Sequence, residues 1–272
     1  MSAGGSGAPA EGAVDANVLL AIGIIGGLLG IYLSGIDATF GPVLACLGAV
    51  CAILWGVLAI RSVASYGLGT GVPSIGYMSL GIGVIGALAG VGIIAALNLT
   101  GLEIAGPILA LIFAMLIGLL VAIVAKKIIG MKIPVMERCT AEIAGAAALA
   151  VLGFSSAIAG GYSIDAILTA VVAPGFIAVF YILTTMAIQH PFNACLGPNE
   201  DQLRTLKCAC STAFLSMTIV GLLSAATGGL GWFVVLLIGL IGWIVSFRAF
   251  VLASCNDAAS TKWSGLWPKV EQ

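Results

Sequence analysis

Charged residues are scarce in this sequence, and their scarcity excludes a soluble globular protein. Asp, Glu, Lys and Arg make up 8% of the 272 residues, whereas 61% are hydrophobic. Soluble domains carry roughly 25% charged residues, so this chain cannot cover its own surface with polar groups. A helix needs about 20 apolar residues to cross a hydrocarbon core about 30 Å thick. The sequence therefore predicts a polytopic α-helical membrane protein. Charge-free runs of sufficient length span 16–36, 38–60, 104–125, 143–164 and 208–247.

Other residue types are also rare or poorly placed for common functions. The net charge of −1 gives no reason to expect a nucleic-acid partner. The first 15 residues contain no Lys or Arg, so they lack the positive segment that opens a secretory signal peptide. The seven cysteines are scattered without a disulfide spacing, and we expect reduced thiols.

We predict an all-α fold with eight transmembrane helices arranged as repeated hairpins. A single transmembrane domain would occupy residues 18–252, between a flexible cytoplasmic tail at 1–17 and a cytoplasmic tail at 253–272. Seven helices remain an alternative if one short segment is re-entrant. The predicted helices are 18–36, 40–60, 77–97, 104–125, 141–161, 166–188, 211–227 and 230–247.

The distribution of basic residues predicts the orientation of these helices. With eight spans, all ten basic residues fall on one side of the membrane, and the opposite turns carry only Asp37, Glu103 and Asp165. Cytoplasmic loops are enriched in Lys and Arg. The basic side is therefore expected in the cytoplasm, with both termini. The basic residues are Arg61, Lys126, Lys127, Lys132, Arg138, Arg204, Lys207, Arg248, Lys262 and Lys269.

Prolines recur at similar spacing along the chain. Pro42, Pro107 and Pro174 each follow an acidic turn and open the second, fourth and sixth predicted helices. Proline is tolerated in the first helical turn, where its missing N–H would have no partner. The pattern fits a hairpin repeated three times plus a divergent fourth, but it also fits prolines that simply mark helix starts.

Few ionisable groups fall inside the predicted spans, where such groups are usually functional. Glu142 comes closest, and it is either part of an ion path or an interfacial residue near Arg138, one turn earlier. The acidic residues of the opposite turns are better explained as hydrated turn residues. Six hydroxyl residues within the spans are candidates to coordinate an ion or to bond back to their own helix. They are Ser155, Ser156, Thr184, Thr185, Ser216 and Thr218.

The segment 186–210, "MAIQHPFNACLGPNEDQLRTLKCAC", holds the single histidine and three cysteines. His190, Cys195, Cys208 and Cys210 are zinc-ligand types, but their spacing lacks the usual closely spaced couples. We interpret the segment as a cytoplasmic loop. Candidate residues of an ion path or its cytoplasmic mouth are Glu142, Asn193, Glu200 and Asp201. Candidate partner-docking residues are His190, Trp263 and Trp267.

Four segments carry a family resemblance that extends over essentially the whole chain. They resemble the C subunit of tetrahydromethanopterin S-methyltransferase, the membrane-bound methyl-transfer complex of methanogenic archaea. The segments are "VASYGLGTGVPSIGYMS" (63–79), "MKIPVMERCTAEIAGAAALAVLGFSSAIAG" (131–160), "MAIQHPFNACLGPNEDQLRTLK" (186–207) and "KWSGLWPK" (262–269).

The resemblance implies a role within a larger enzyme. That complex moves a methyl group from methyl-tetrahydromethanopterin, or its sarcinapterin form, to coenzyme M and couples the transfer to sodium export. A corrinoid on the A subunit of that complex carries the methyl group, and this chain would join the D and E membrane subunits in the lipid bilayer. We expect no catalytic residue, no metal and no cofactor on this chain itself. The alternatives are an independent secondary transporter or ion channel, and an intramembrane metalloenzyme.

The predicted topology has a direct test in thiol labelling. Single cysteines at positions 37 and 165 should react with an impermeant reagent from one side of the membrane, and a cysteine at position 130 from the other. Labelling of all three from the same side would contradict the eight-helix arrangement.

Overall fold

The computed structural model describes residues 14–64, 72–128, 133, 135–172, 202–225 and 230–261, and within these ranges the chain is α-helical without strands. A short helix at Ile164–Ile167 continues into a π-helical turn at Leu168–Val172, and a 3-10 turn at Glu103–Ala105 precedes the helix that begins at Gly106. The helices are α1 (Ala16–Leu33), α2 (Phe40–Ala64), α3 (Val72–Ala96), α4 (Gly106–Lys127), α5 (Met136–Ala159), α6 (Ile164–Ile167), α7 (Gln202–Ala225) and α8 (Leu230–Thr261).

The prediction of an all-α membrane protein is confirmed. Among the described residues, five helices are long and apolar enough to cross a membrane, namely α1, α2, α4, α5 and α8, and two shorter apolar stretches lie within α3 and α7. The sixth predicted helix begins with α6 and the π-helical turn at Leu168–Val172, but residues 173–188 lie outside the described residues. The count of eight spans and the location of the termini therefore stay predictions.

Several helices extend past their predicted ends on the basic side. α5 begins at Met136 instead of 141, α7 begins at Gln202 instead of 211, and α8 continues to Thr261 instead of 247. The predicted bounds followed charge-free windows, whereas helical hydrogen bonding continues through charged residues at the membrane surface. On the opposite side, α2 begins at Phe40 and α8 at Leu230, as predicted.

Three helix pairs form antiparallel hairpins, α1 with α2, α3 with α4, and α7 with α8, and α5 lies between the first two. α5 contacts each of α1 to α4, whereas α2 and α3 scarcely touch each other, and the α7–α8 hairpin packs mainly against α2. The buried fraction of the spanning segment is 78% for α5 but only 22% for α8. α5 is therefore the central helix, and α8 faces the surroundings of the bundle.

Small residues permit these close contacts. A Cβ at Gly48 of α2 would lie 2.9 Å from the Cα of Gly30 in α1, so the two backbones cross directly. On one side of α5, Ala146 lies against Gly56 of α2, and on the other side Gly118 of α4 lies against the carbonyl of Thr140. Lipid provides no hydrophobic drive for helix association, so packing of this kind supplies much of the cohesion.

The acidic turns meet at one end of the bundle, as the sequence predicts. The hydroxyl of Tyr32, near the end of α1, donates to the carbonyl of Ile104, beside Glu103, at 2.6 Å. The rings of Tyr32 and Tyr162 meet edge to face with centroids 6.3 Å apart. Gly231, at the start of α8, approaches the carbonyl of Thr39 in the turn that contains Asp37. We call this the acidic end and the opposite one the basic end.

The crossing of α1 and α2 generates a stability prediction. Gly48→Ala should destabilise the folded chain by about 1–3 kcal/mol, because the added methyl group meets the backbone of α1 and overpacks the contact. The measurement is the thermal unfolding midpoint of the detergent-purified assembly. Gly81→Ala is the matched control, since a Cβ at position 81 meets nothing within 4 Å. Equal effects of both substitutions would contradict the packing described here.

Candidate functional site

The carboxylates of Asp37 and Glu103, at the acidic end, accept hydrogen bonds from the backbone of their own turns. The carboxylate of Asp37 accepts from the backbone N–H of Phe40 and Thr39, and these hydrogen bonds hold the pKa of Asp37 below its usual value. Glu103 accepts from the backbone N–H of Gly101 at 2.9 Å. Both residues act as turn and helix-cap groups, so their local geometry accounts for them without a ligand.

Glu142 is different, because it is buried inside a membrane-spanning helix. It lies in the second turn of α5, where the whole residue is 8% exposed. Among the described residues it is the one buried carboxylate. A buried charge is costly unless it is paired, so the partner of Glu142 decides what this position can do.

That partner is Arg138, one helical turn earlier, as the sequence suggested. The Nε of Arg138 donates to Oε1 of Glu142 at 2.6 Å. The side chain of Arg138 is 66% exposed, whereas that of Glu142 is 11% exposed. The pair therefore joins an exposed cation to a buried anion at the basic end of the central helix.

Residues on either side of Glu142 anchor this turn to the end of α2. Cys139 and Ile143 form a buried cluster with Ala59 of α2. A side-chain hydrogen bond also joins Ser62 of α2 to Cys139. The carboxylate is thus carried on a turn that α2 holds in place.

A second ion pair lies nearby but has another role. Nζ of Lys126, at the end of α4, lies 2.9 Å from Oε2 of Glu137 in the first turn of α5. These side chains are 43% and 32% exposed, and they connect two different helices across the chain reversal. Exposed pairs of this kind contribute little to stability. Lys126 and Glu137 therefore belong to the surface of the basic end.

Most of the described hydroxyl candidates bond back to their own helices. Ser155 donates to the carbonyl of Val151 at 2.8 Å, and Ser216 and Thr218 make equivalent bonds on α7. Ser156 differs, because its hydroxyl is buried and lacks a hydrogen-bond partner. Thr184 and Thr185 lie outside the described residues.

The burial of two hydroxyl groups and one arginine was not predicted from the sequence. The hydroxyls of Ser79 on α3 and Thr140 on α5 are fully buried without a hydrogen-bond partner. Arg204, in the first turn of α7, is 1% exposed. The sequence carried no signal for these burials, since Ser and Thr are common in membrane helices and Arg204 looked like a loop residue.

The remaining predicted site residues lie outside the described residues. These are Asn193, Glu200 and Asp201 of the ion-path prediction, and His190, Trp263 and Trp267 of the docking prediction. Across the described part of the chain, no group of three His, Cys, Asp or Glu side chains is arranged to hold a metal ion. The zinc alternative also depended on His190 and Cys195, which likewise fall outside it.

The described site thus offers a cation-binding group held in a protein interior. In the structure that carboxylate is held by the exposed guanidinium of Arg138. Group-transfer chemistry calls for a nucleophile held next to a base, and the described pair around Glu142 is an ion pair instead.

Comparison with known proteins identifies the family. A family model for the C subunit of tetrahydromethanopterin S-methyltransferase matches residues 1–271. The chain belongs to this C-subunit family. A relative of the same name from Methanothermobacter marburgensis is 60% identical over 98% of both chains, and one from Methanothermobacter thermautotrophicus is 59% identical over 98% of both. Another, from Methanosarcina mazei, is 45% identical over 100% of this chain and 99% of its own length.

Membership in this family confirms the resemblance that the loop segments indicated. The family name is that of a subunit, so the chain is one component of a multi-subunit methyltransferase. The described part of the chain holds five helices that are long and apolar enough to cross a membrane, which makes it a membrane component.

Proposed function

We propose that this chain is a membrane subunit of the sodium-translocating complex that transfers a methyl group from methyl-tetrahydromethanopterin, or methyl-tetrahydrosarcinapterin, to coenzyme M. It scaffolds the membrane part of the archaeal complex beside the D and E subunits and contributes Glu142 to the sodium path. The methyl transfer itself takes place on other subunits, with the corrinoid on the A subunit.

The observation that carries the ion-path part of this proposal is the burial of Glu142. Ionisable groups within membrane spans are expensive and are characteristic of ion pathways. Glu142 lies about one and a half turns inside the start of α5, with its side chain 11% exposed. Its position at the basic end places it where a cation would enter from the cytoplasm under the predicted orientation.

The scaffolding part of the proposal is supported by the shape of the helix bundle. α1, α4 and α8 each present a row of exposed large apolar side chains, while α5 is enclosed. Such rows suit contact with lipid and with the helices of other membrane subunits. The cytoplasmic mouth would be completed by Asn193, Glu200 and Asp201, and His190, Trp263 and Trp267 would dock water-soluble partners.

The ion-path role predicts a specific phenotype for Glu142→Gln. This substitution preserves the shape of the side chain and removes its charge. Sodium uptake into vesicles that contain the whole complex should fall about tenfold or more, a change that corresponds to about 1.4 kcal/mol, because the neutral amide no longer attracts the cation by its charge. Uptake is measured with radioactive sodium while methyl transfer to coenzyme M is followed in the same vesicles.

Glu137→Gln is the matched control, since Glu137 is a more exposed carboxylate on the same helix. It should leave sodium uptake unchanged. Normal uptake by the Glu142→Gln complex would refute the ion-path role. Sodium transport by the purified chain alone would favour an independent transporter instead.

A further inference from the structure

The guanidinium of Arg138 is bound to the carboxylate of Glu142, which a transported cation would also need. Its Nε lies 2.6 Å from Oε1 of Glu142, and both side chains project from one helix, α5. We propose that Arg138 is a tethered competitor, a guanidinium that closes the Glu142 position until an incoming monovalent cation displaces it. This inference rests on the proposed role of Glu142 in the sodium path.

The unequal exposure of the two side chains makes displacement feasible. Arg138 is 66% exposed, so its long side chain can swing away from Glu142 without entering the protein interior. Glu142 is 11% exposed and cannot follow it into solvent. The carboxylate therefore stays in place while its cationic partner changes.

Burial of the carboxylate also ensures that the position is always filled. An uncompensated buried charge is strongly unfavourable, so departure of the guanidinium has to coincide with arrival of another cation or of a proton. Arginine keeps its proton throughout the physiological range, so the competitor itself keeps its positive charge.

The neighbouring ion pair between Lys126 and Glu137 is a structural contact with which the Arg138–Glu142 pair can be compared. It joins α4 to α5, and its carboxylate is 32% exposed, about three times the exposure of Glu142. Neutralising Lys126 removes one positive charge from the same end of the bundle without freeing Glu142. It is therefore a matched control for general changes in surface charge.

The test measures how methyl-transfer-driven sodium uptake depends on sodium concentration in vesicles that contain the whole complex. Arg138→Gln removes the competitor, so the sodium concentration for half-maximal uptake should fall about two- to five-fold, the range expected for loss of a partly exposed ion pair. Arg138→Lys keeps a positive charge at the same position and should remain near the native value. Lys126→Gln should not shift it.

Each other outcome overturns a defined part of the account. An unchanged half-maximal concentration in Arg138→Gln, with uptake still abolished by Glu142→Gln, rejects the tethered competitor and leaves the ion-path role standing. Normal uptake in Glu142→Gln rejects the ion-path role itself. An equal shift in Lys126→Gln assigns the effect to surface charge and rejects the competitor.

Assembly of the variants provides a further check. Arg138→Met is made alongside Arg138→Gln, because it retains the apolar stem of the side chain. If neither neutral variant enters the complex, as judged by co-purification with the other subunits, the arginine is a fixed structural partner. A residue that must exchange with a cation during turnover cannot be required at every moment for folding, so this result also rejects the proposal.

Discussion

Close backbone contact around α5 is the constraint on which the rest of the structure depends. In a membrane, apolar side chains gain little when they exchange contact with lipid for contact with another helix. Helices therefore associate through tight packing and interhelical polar contacts. α5 meets this requirement with small residues on two sides, since Ala146 lies against Gly56 of α2 and Ala147 against Gly83 of α3. The α1–α2 and α3–α4 hairpins scarcely touch each other, so α5 is the helix that joins them.

The central position of α5 also explains why the carboxylate of Glu142, near the start of this helix, is buried. A carboxylate on an outer helix such as α8 could turn toward lipid headgroups and water. Glu142 is enclosed by the packing that holds Cys139 and Ile143 against α2, and its charge is compensated within its own helix by Arg138. The same close packing that stabilises the bundle therefore creates a buried anion with one exposed, displaceable partner.

Much of this fold could be predicted from the sequence, because charge-free runs reveal membrane helices directly. Phe40 and Leu230 begin α2 and α8 as predicted, and Arg138 pairs with Glu142 as its spacing suggested. The basic ends of the helices were placed wrongly, since absence of charge marks the membrane and not the end of a helix. Burial of Thr140 and Arg204, and the choice of α5 as the central helix, depend on tertiary packing between segments far apart in sequence. Local sequence patterns carry no information about such contacts.

Intramolecular cross-linking tests the central position of α5 most directly. Two cysteine pairs, Gly56→Cys with Ala146→Cys and Gly83→Cys with Ala147→Cys, are placed in a chain whose seven native cysteines have been replaced. A Cβ at position 56 lies 3.0 Å from that of Ala146, and one at position 83 lies 2.5 Å from that of Ala147. Disulfides join Cβ atoms about 3.5–4.5 Å apart, so small shifts suffice. Mild oxidation of the assembled complex should cross-link both pairs within one chain, whereas Gly81→Cys with Ala147→Cys should remain reduced. Absence of a cross-link in either variant that still assembles into the complex would contradict an α5 that lies between the α1–α2 and α3–α4 hairpins.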